Sequence, residues 1–339
     1  MRPRSAAFLA EIRGVGKIST RRTMFFGALI MVAEGCEVSR WSLAVNRWCA
    51  SACFPADMTN RERLATSDHR RPTMVTPILQ PAPAMSENRH DAVRAYYHTL
   101  FSAWGRQHWW PAQSPFEVIV GAYLTQNTAW TNVEKALGNL RKARRLTISG
   151  IRRTPLPELE QLIRPAGYFR QKAQRLKTFV NFLDERYGGS FARMFGQPTA
   201  ELRDELLALN GIGPETADSI LLYAGNHPVF VVDAYTRRIL ERHQIVSSAA
   251  DYDEIRQLFE QALGETPPPK RSLDGAPAAL GQPGSCHRPS RMSTAGRTAL
   301  VQVFNEMHGL IVGVGKTYCL KSQTRCEQCP LQKFLPEAK

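Results

Sequence analysis

The chain has 339 residues, 43% of them apolar, enough for one large or two medium domains around a buried core. Its 44 Lys and Arg outnumber 30 Asp and Glu, and the formal net charge of +14 points to a polyanionic partner, nucleic acid or an anionic membrane surface, or to general solubility. Seven cysteines, an odd number with three crowded at the C-terminus, suit a reducing compartment and a metal site better than a disulfide framework.

Residues 1–87 mix arginines and tryptophans without sustained periodicity and end in a Pro-rich run, which reads as a disordered basic extension. They hold twelve Lys and Arg against seven Asp and Glu, so most of the charge excess lies beyond them. The apolar stretch MFFGALIMVA (24–33) is too short to span a bilayer. It also lies late for a signal segment, no small-residue cleavage site after it is convincing, and the metal-type cysteines argue against export, so the expected location is the cytoplasm.

From residue 91 onward the period becomes helical. DAVRAYYHTLFSAWG is followed by the loop RQHWWPAQS, and residues 114–143 open with Ser114 as N-cap, Pro115 at the first helical position and Glu117 at the third. That helix is expected to break near Gln126-Asn127-Thr128 and restart. Further helices are expected in PLPELEQLIR, RQKAQRLKTFVNFLDERY, TAELRDELLAL, PETADSILLYAG, AYTRRILERH, DYDEIRQLFEQAL and TALVQVFNEMHGLIVGVGKTYC. Only PVFVVD is β-branched enough for a strand, and it is too short to pair, so the fold class is all-α. Residues 265–296, rich in Pro, Gly and Ser, read as a flexible surface insertion.

The segment LNGIGPETADSILLYAGNHPVFVVDAYTRRIL concentrates the chemistry. A turn through Gly211-Ile212-Gly213 with Pro214 opening the next helix forms a helix-hairpin-helix, whose free N–H groups and dipole can hold a phosphate; a plain interhelical turn is the alternative. Asp233, twenty residues after Gly213, closes a short apolar run and precedes a helix. It can be an N-cap, a fixed and partly desolvated charge, or both.

These residues resemble the helix-hairpin-helix/Gly-Pro-Asp superfamily of DNA glycosylases, the family of endonuclease III. The hairpin, the aspartate, the QNT segment (126–128) and the cysteine tail follow in the family's order from about residue 90 to 339, the insertion excepted. The resemblance implies a two-lobed fold with DNA in the cleft between the lobes. A central lobe would span 115–227, and a second lobe would combine 88–114 with 228–339, the cysteine tail being 319–335.

It further implies a monomeric base-excision repair enzyme acting on double-stranded DNA that contains a damaged base. Asp233 would stabilise the positive charge on the sugar as the base departs. Bifunctional members carry a lysine two residues after the second glycine; here that place is Glu215, which cannot form a Schiff base. Glu215 can alternatively be a helix-start carboxylate set against the dipole. The departure points to a monofunctional enzyme resembling the 3-methyladenine glycosylase branch. The alternatives are an oxidised-pyrimidine glycosylase with lyase activity and a non-catalytic DNA-structure binder.

By the same resemblance Trp110, Pro111 and Trp130 line the base pocket, while Trp109 stands between pocket and core. Gln126 and Asn127 fill the gap left by a flipped base, or else cap a broken helix. Arg170, Lys172 and Arg175 are expected phosphate contacts, or residues of a solvated helix face.

The tail has Cys319-x6-Cys326-x2-Cys329, but Leu335 occupies the fourth place of the family's cluster pattern. Three readings stay open: a [4Fe-4S] cluster with an unusual or missing ligand, a zinc completed by Cys286 or a histidine, and a metal-free remnant held by packing.

Overall fold

The computed structural model describes residues 84–264 and 288–336. The apolar stretch at 24–33, Cys286 and the extension before residue 84 lie outside them. The described residues contain twelve α-helices and no strand, with one isolated bridge between Cys319 and Thr324. No described helix is long and apolar enough to cross a membrane.

In chain order the helices are α1 (Ala84–Trp104), α2 (Pro115–Thr125), α3 (Trp130–Lys142), α4 (Ile148–Arg153), α5 (Leu156–Ile163), α6 (Phe169–Tyr187), α7 (Phe191–Met194) and α8 (Thr199–Leu207). Then come α9 (Pro214–Ser219), α10 (Ala234–Arg242), α11 (Tyr252–Gly264) and α12 (Ala299–Thr317). A 3-10 turn at Arg164–Ala166 precedes α6, and a π-helical turn at Ile220–Ala224 continues α9. The break expected near residues 126–128 falls between α2 and α3. Ser114 caps α2 by accepting from the Glu117 amide, as its sequence predicts. Glu117 reaches back to the Gln113 amide and pairs with Arg141 of α3, fixing the α2–α3 corner.

Two groups of helices share the core. α2, α3, α5 and α6 pack on one another, with α4 and α7 against α6 and α8 against α9. α1, α11 and α12 pack together with α10 against α12, and α12 meets the π-turn that α2 also covers. α2 is almost wholly buried, from Phe116 to Leu124, which is why its sequence is apolar on every face.

The reading of 265–296 as an insertion needs correction at its end. Residues 265–287 are outside the description, but Ser290, Met292 and Ser293 are buried. The Met292 amide donates to the Ala112 carbonyl at 3.0 Å, and Ser290 Oγ accepts from the Ala112 amide and donates to the Trp110 carbonyl, both at 3.2 Å. Composition alone made this stretch look like a loop. Its hydroxyls are instead spent on backbone groups of the tryptophan loop.

Candidate active site

A cavity of about 730 Å³ opens where the two helix groups meet, lined by the tryptophan loop, the α2–α3 junction, the hairpin and α12. Each wall has a local cause. Glu306 of α12 accepts from the Gln107 amide at 2.8 Å and from Arg106 Nε at 3.3 Å, while Ser290 holds residues 110–112 from the other side. The Trp109-Trp110 pair is thereby set against the cavity. The Trp110 indole rests directly on α2 at Gly121, where a Cβ would lie at ordinary contact distance, 3.4 Å, from the ring. Trp110 meets Trp130 edge-on, with ring centroids 5.3 Å apart and planes at 89°. Trp109 lines the same cavity, with the Lys316 ammonium 5.5 Å from its ring centroid.

The hairpin runs from α8 through Leu209–Gly213 into α9. Gly211 has φ +82°, a left-handed conformation that strains any other residue, and an added Cβ would collide with the Arg175 side chain at 2.0 Å. Gly213 and Pro214 are exposed at the start of α9, and Ile212 is buried beneath them.

Asp233 is the N-cap of α10. Its Oδ1 accepts from the Thr236 amide at 2.7 Å and from Thr236 Oγ1 at 2.9 Å. Its Oδ2 lies 3.6 Å from His308 Nε2, with the Asp233 side chain 11% exposed. The capping role and the fixed-charge role therefore coexist. Burial would raise this carboxyl, but His308 and the two Thr236 donors outweigh it and hold Asp233 below the usual carboxylate range.

Glu215 lines the same cavity. It is exposed to solvent at the cleft mouth. Burial, and then the neighbouring Asp233, push its carboxyl up to about 7, with His308 pulling the other way. The two acids thus separate in character: Asp233 stays ionised near neutrality, while Glu215 carries its proton much of the time.

The remaining expected site residues divide. Asn127 is exposed in the left-handed region at φ 51°, at the cavity rim. The Gln126 amide is already engaged: its Nε2 donates to the Gly211 carbonyl at 2.9 Å and to Thr216 Oγ1 at 3.0 Å, and its Oε1 accepts from Arg175 at 3.0 Å. Arg175 is consequently a brace between hairpin and α2, half-buried. Arg170 is exposed on α6.

Lys172 does not sit on a surface available to phosphate. It is 1% exposed, its ammonium enclosed by four oxygens at 2.7 to 2.9 Å, because it falls on the apolar stripe of α6 with Ala173, Leu176 and Phe179. Pro111 is half-buried and does not line the cavity.

His308, Tyr235, Tyr252 and Lys316 line the cavity without having been singled out from sequence. Lys316 lies three residues before Cys319, and no local motif marks it.

The three tail cysteines converge with Arg242, His243, Gln332 and Leu335 around a space of about 20 Å³. His243 Nδ1 is engaged with the Tyr96 hydroxyl at 2.8 Å, and Leu335 offers no donor. Cys319 Sγ accepts from Arg242 Nη1 at 3.2 Å, and the same guanidinium donates to the Leu320 and Lys321 carbonyls. Among the described residues no group of three or more His, Cys, Asp or Glu side chains is arranged to hold a metal. These residues do not fit a four-thiolate cubane.

Residues 120–265 match the family described as HhH-GPD superfamily base excision DNA repair protein. A Methanocaldococcus jannaschii protein whose name places it among DNA repair glycosylases is 38% identical over 252 residues, covering 74% of this chain and 98% of its own. The chain belongs to the HhH-GPD superfamily of base excision DNA repair glycosylases. Endonuclease III of Thermotoga maritima is 33% identical over 128 residues, 38% of this chain and 56% of that protein.

Among solved HhH-GPD structures, the H. pylori 3-methyladenine DNA glycosylase bound to 1,N6-ethenoadenine is 28% identical with a TM-score of 0.52, over 67% of this chain and 97% of that one. A trapped endonuclease III–DNA covalent intermediate has a TM-score of 0.54 at 20% identity, over 73% of this chain and 96% of that one, and shares the all-α fold.

Proposed function

We propose that this HhH-GPD protein hydrolyses the N-glycosidic bond of alkylated purines in double-stranded DNA and stops at base release. The observation that carries this reading is Glu215 at the hairpin position, facing an ionised Asp233 across an aromatic-walled cavity. A carboxyl there supplies no amine for a Schiff base. The likeness to a 3-methyladenine glycosylase supports the substrate class.

The chemistry follows from the groups present. An N3- or N7-alkylated purine is cationic, so it leaves with the bonding electrons without needing an acid. The Trp110 and Trp130 faces favour a flipped cationic ring, stacking contributing about 1–3 kcal/mol. As the glycosidic bond lengthens, positive charge grows on the sugar, and a carboxylate already fixed by Thr236 stabilises it without reorganising. Water then bonds to the anomeric carbon and passes its proton to the Asp233 carboxylate and on to solvent, leaving an abasic site. The exposed start of α9 would grip a phosphate, and a single copy of the chain would suffice to enclose one damaged base.

A second reading has one observation in its favour. Lys316 brings an amine to the cavity wall, so a lyase step could proceed without the hairpin lysine. A base-release screen over alkylated, oxidised, uracil and mismatch duplexes, with borohydride trapping, separates the two. Release of alkylated purine without a covalent adduct supports hydrolysis. An adduct abolished by Lys316→Ala establishes the lyase instead, and unchanged behaviour of Asp233→Asn with no base release from any duplex leaves only a DNA-structure binder.

A further inference from the structure

We propose that the buried Lys172 ammonium is a positioning device that locks two exposed turns, Gln126–Thr128 and Gly167–Tyr168, into a single strand-opening unit. The inference rests on the glycosylase reading above, and its subject is how the duplex is opened.

Lys172 Nζ donates toward the carbonyls of Leu124 and Gln126 at 2.9 Å, Thr128 Oγ1 at 2.7 Å and the Ala166 carbonyl at 2.8 Å. The Thr128 hydroxyl also donates to the Ala166 carbonyl, at 2.5 Å, closing the network. Every partner is neutral, and none is a carboxylate. A fully enclosed cation without a counter-ion is unusual in a protein core. What compensates it here is the negative end of two helices: α2 ends at Thr125, and the 3-10 turn ends at Ala166.

The partners bracket two left-handed residues. Asn127, φ 51°, lies between Gln126 and Thr128, and Tyr168, φ 45°, follows Ala166 and Gly167. Both are exposed, and Tyr168, at 68%, is the most prominent large apolar side chain among the described residues. Left-handed backbone at non-glycine residues has to be held by its surroundings. The ammonium bonds the residues on either side of Asn127, and the Ala166 carbonyl two residues before Tyr168. Packing of α6 itself is secured by Ala173, Leu176, Phe179 and Val180, so the charge is not needed to seat the helix. An apolar residue would serve that purpose, as at the neighbouring stripe positions. The ammonium adds hydrogen bonds to the last turn of α2, to the residues flanking Asn127 and to the end of the 3-10 turn that leads into Gly167–Tyr168.

Exposed side chains on rigid turns are what a protein needs to part stacked bases. The test compares wild type with Lys172→Met in single-turnover base release from an alkylated purine placed in a matched duplex and in a single strand. A second probe is fluorescence of 2-aminopurine beside the lesion site, which reports unstacking without chemistry.

The expected result is a roughly 10- to 100-fold loss of duplex release, release from the single strand within about 3-fold of wild type, and loss of the unstacking signal. Equal losses on both substrates, or no loss on either, overturn the proposal. Should wild type release no base from any substrate, the glycosylase reading fails, while the unstacking signal in wild type and in Lys172→Met still decides this one. If Lys172→Met does not fold, Thr128→Val, which removes the bridging hydroxyl and keeps the side-chain shape, is expected to show the same split at smaller size. Parallel losses in that variant likewise overturn it.

Discussion

His308 Nε2 stands 3.6 Å from Asp233 Oδ2, while the other ring nitrogen of His308 is hydrogen-bonded to the buried Tyr223 hydroxyl. Burial raises Tyr223 well above the usual phenol range, so its hydroxyl keeps its proton and donates to Nδ1. The Nε2 proton then faces the carboxylate, the favourable of the two tautomers. Tyr223 gets there through the π-turn at Ile220–Ala224, where the Gly225 amide bonds the Ile220 carbonyl. Asp233, Glu215 and Tyr223 are the titratable groups that face this ring. His308→Phe is expected to cut single-turnover base release roughly 10- to 100-fold and to move the acid limb of the pH profile upward, since Asp233 loses a group that keeps it ionised. Tyr223→Phe should act in the same direction by less. An unshifted acid limb in His308→Phe would rule out this coupling.

Two substitutions at Asp233 separate its roles. Asparagine caps helices as well as aspartate, so Asp233→Asn should keep the melting temperature and duplex affinity while losing roughly 10²- to 10³-fold in turnover. Asp233→Ala should lose the same turnover and, in addition, about 1 kcal/mol of stability with the cap to Thr236. Retained base release in Asp233→Asn would remove this residue from the mechanism.

Glu215 makes stability depend on pH. Its carboxyl titrates near 7 when folded, above its ordinary value of 4.5, so between those pH values the folded chain holds a proton that the unfolded chain has lost. The contribution is neutral below 4.5 and becomes a cost as pH rises toward 7. Glu215→Gln should therefore raise the melting temperature at pH 8 and leave it unchanged near pH 4. Because water reaches the group, the gain should stay below about 1 kcal/mol. Melting curves at the two pH values check it.

Tyr168 predicts a separation between folding and action. Nothing in the core depends on its ring, so Tyr168→Ala should change stability by less than about 0.5 kcal/mol. Losing a stacking face worth about 1–3 kcal/mol should weaken duplex opening some 5- to 100-fold. Parallel measurement of unfolding and of 2-aminopurine fluorescence gives both numbers.

Among the described residues Arg242 ties Cys319 and the backbone after it to α10. Chelators and iron or zinc supplementation are expected to leave the melting temperature in place, whereas Arg242→Ala, which releases Cys319 and the Leu320 and Lys321 carbonyls, should destabilise the tail by about 1–3 kcal/mol. Metal analysis of anaerobically purified protein together with its visible spectrum checks the first part. A stoichiometric iron signal would overturn it.

What the sequence made legible was local. Ser114-Pro115, the Gly211–Pro214 turn and Asp233 before α10 are signals written within four or five residues, and each falls where it was expected. The short helices α4 and α7 and the π-turn carry too few residues for a period to register. His308 was hidden for another reason: its partners Tyr223 and Asp233 lie far away in sequence, and on an apolar helix a histidine gives no sign of what it faces.

Lys172 was misread although the clue was present. It shares the stripe of Ala173, Leu176, Phe179 and Leu183, and a lysine on a core stripe has to be paid for by acceptors from elsewhere in the fold.

The Gln126 amide, tied to Gly211, Thr216 and Arg175, makes the hairpin and the QNT turn one rigid piece. If the hairpin grasps a backbone and the QNT turn enters the base stack, as proposed, the two are held at a set interval. On that reading the protein would work as a ruler. A backbone lengthened by a single methylene between the grasped phosphate and the damaged sugar would put the lesion out of step with Asp233, however well its base suited the cavity.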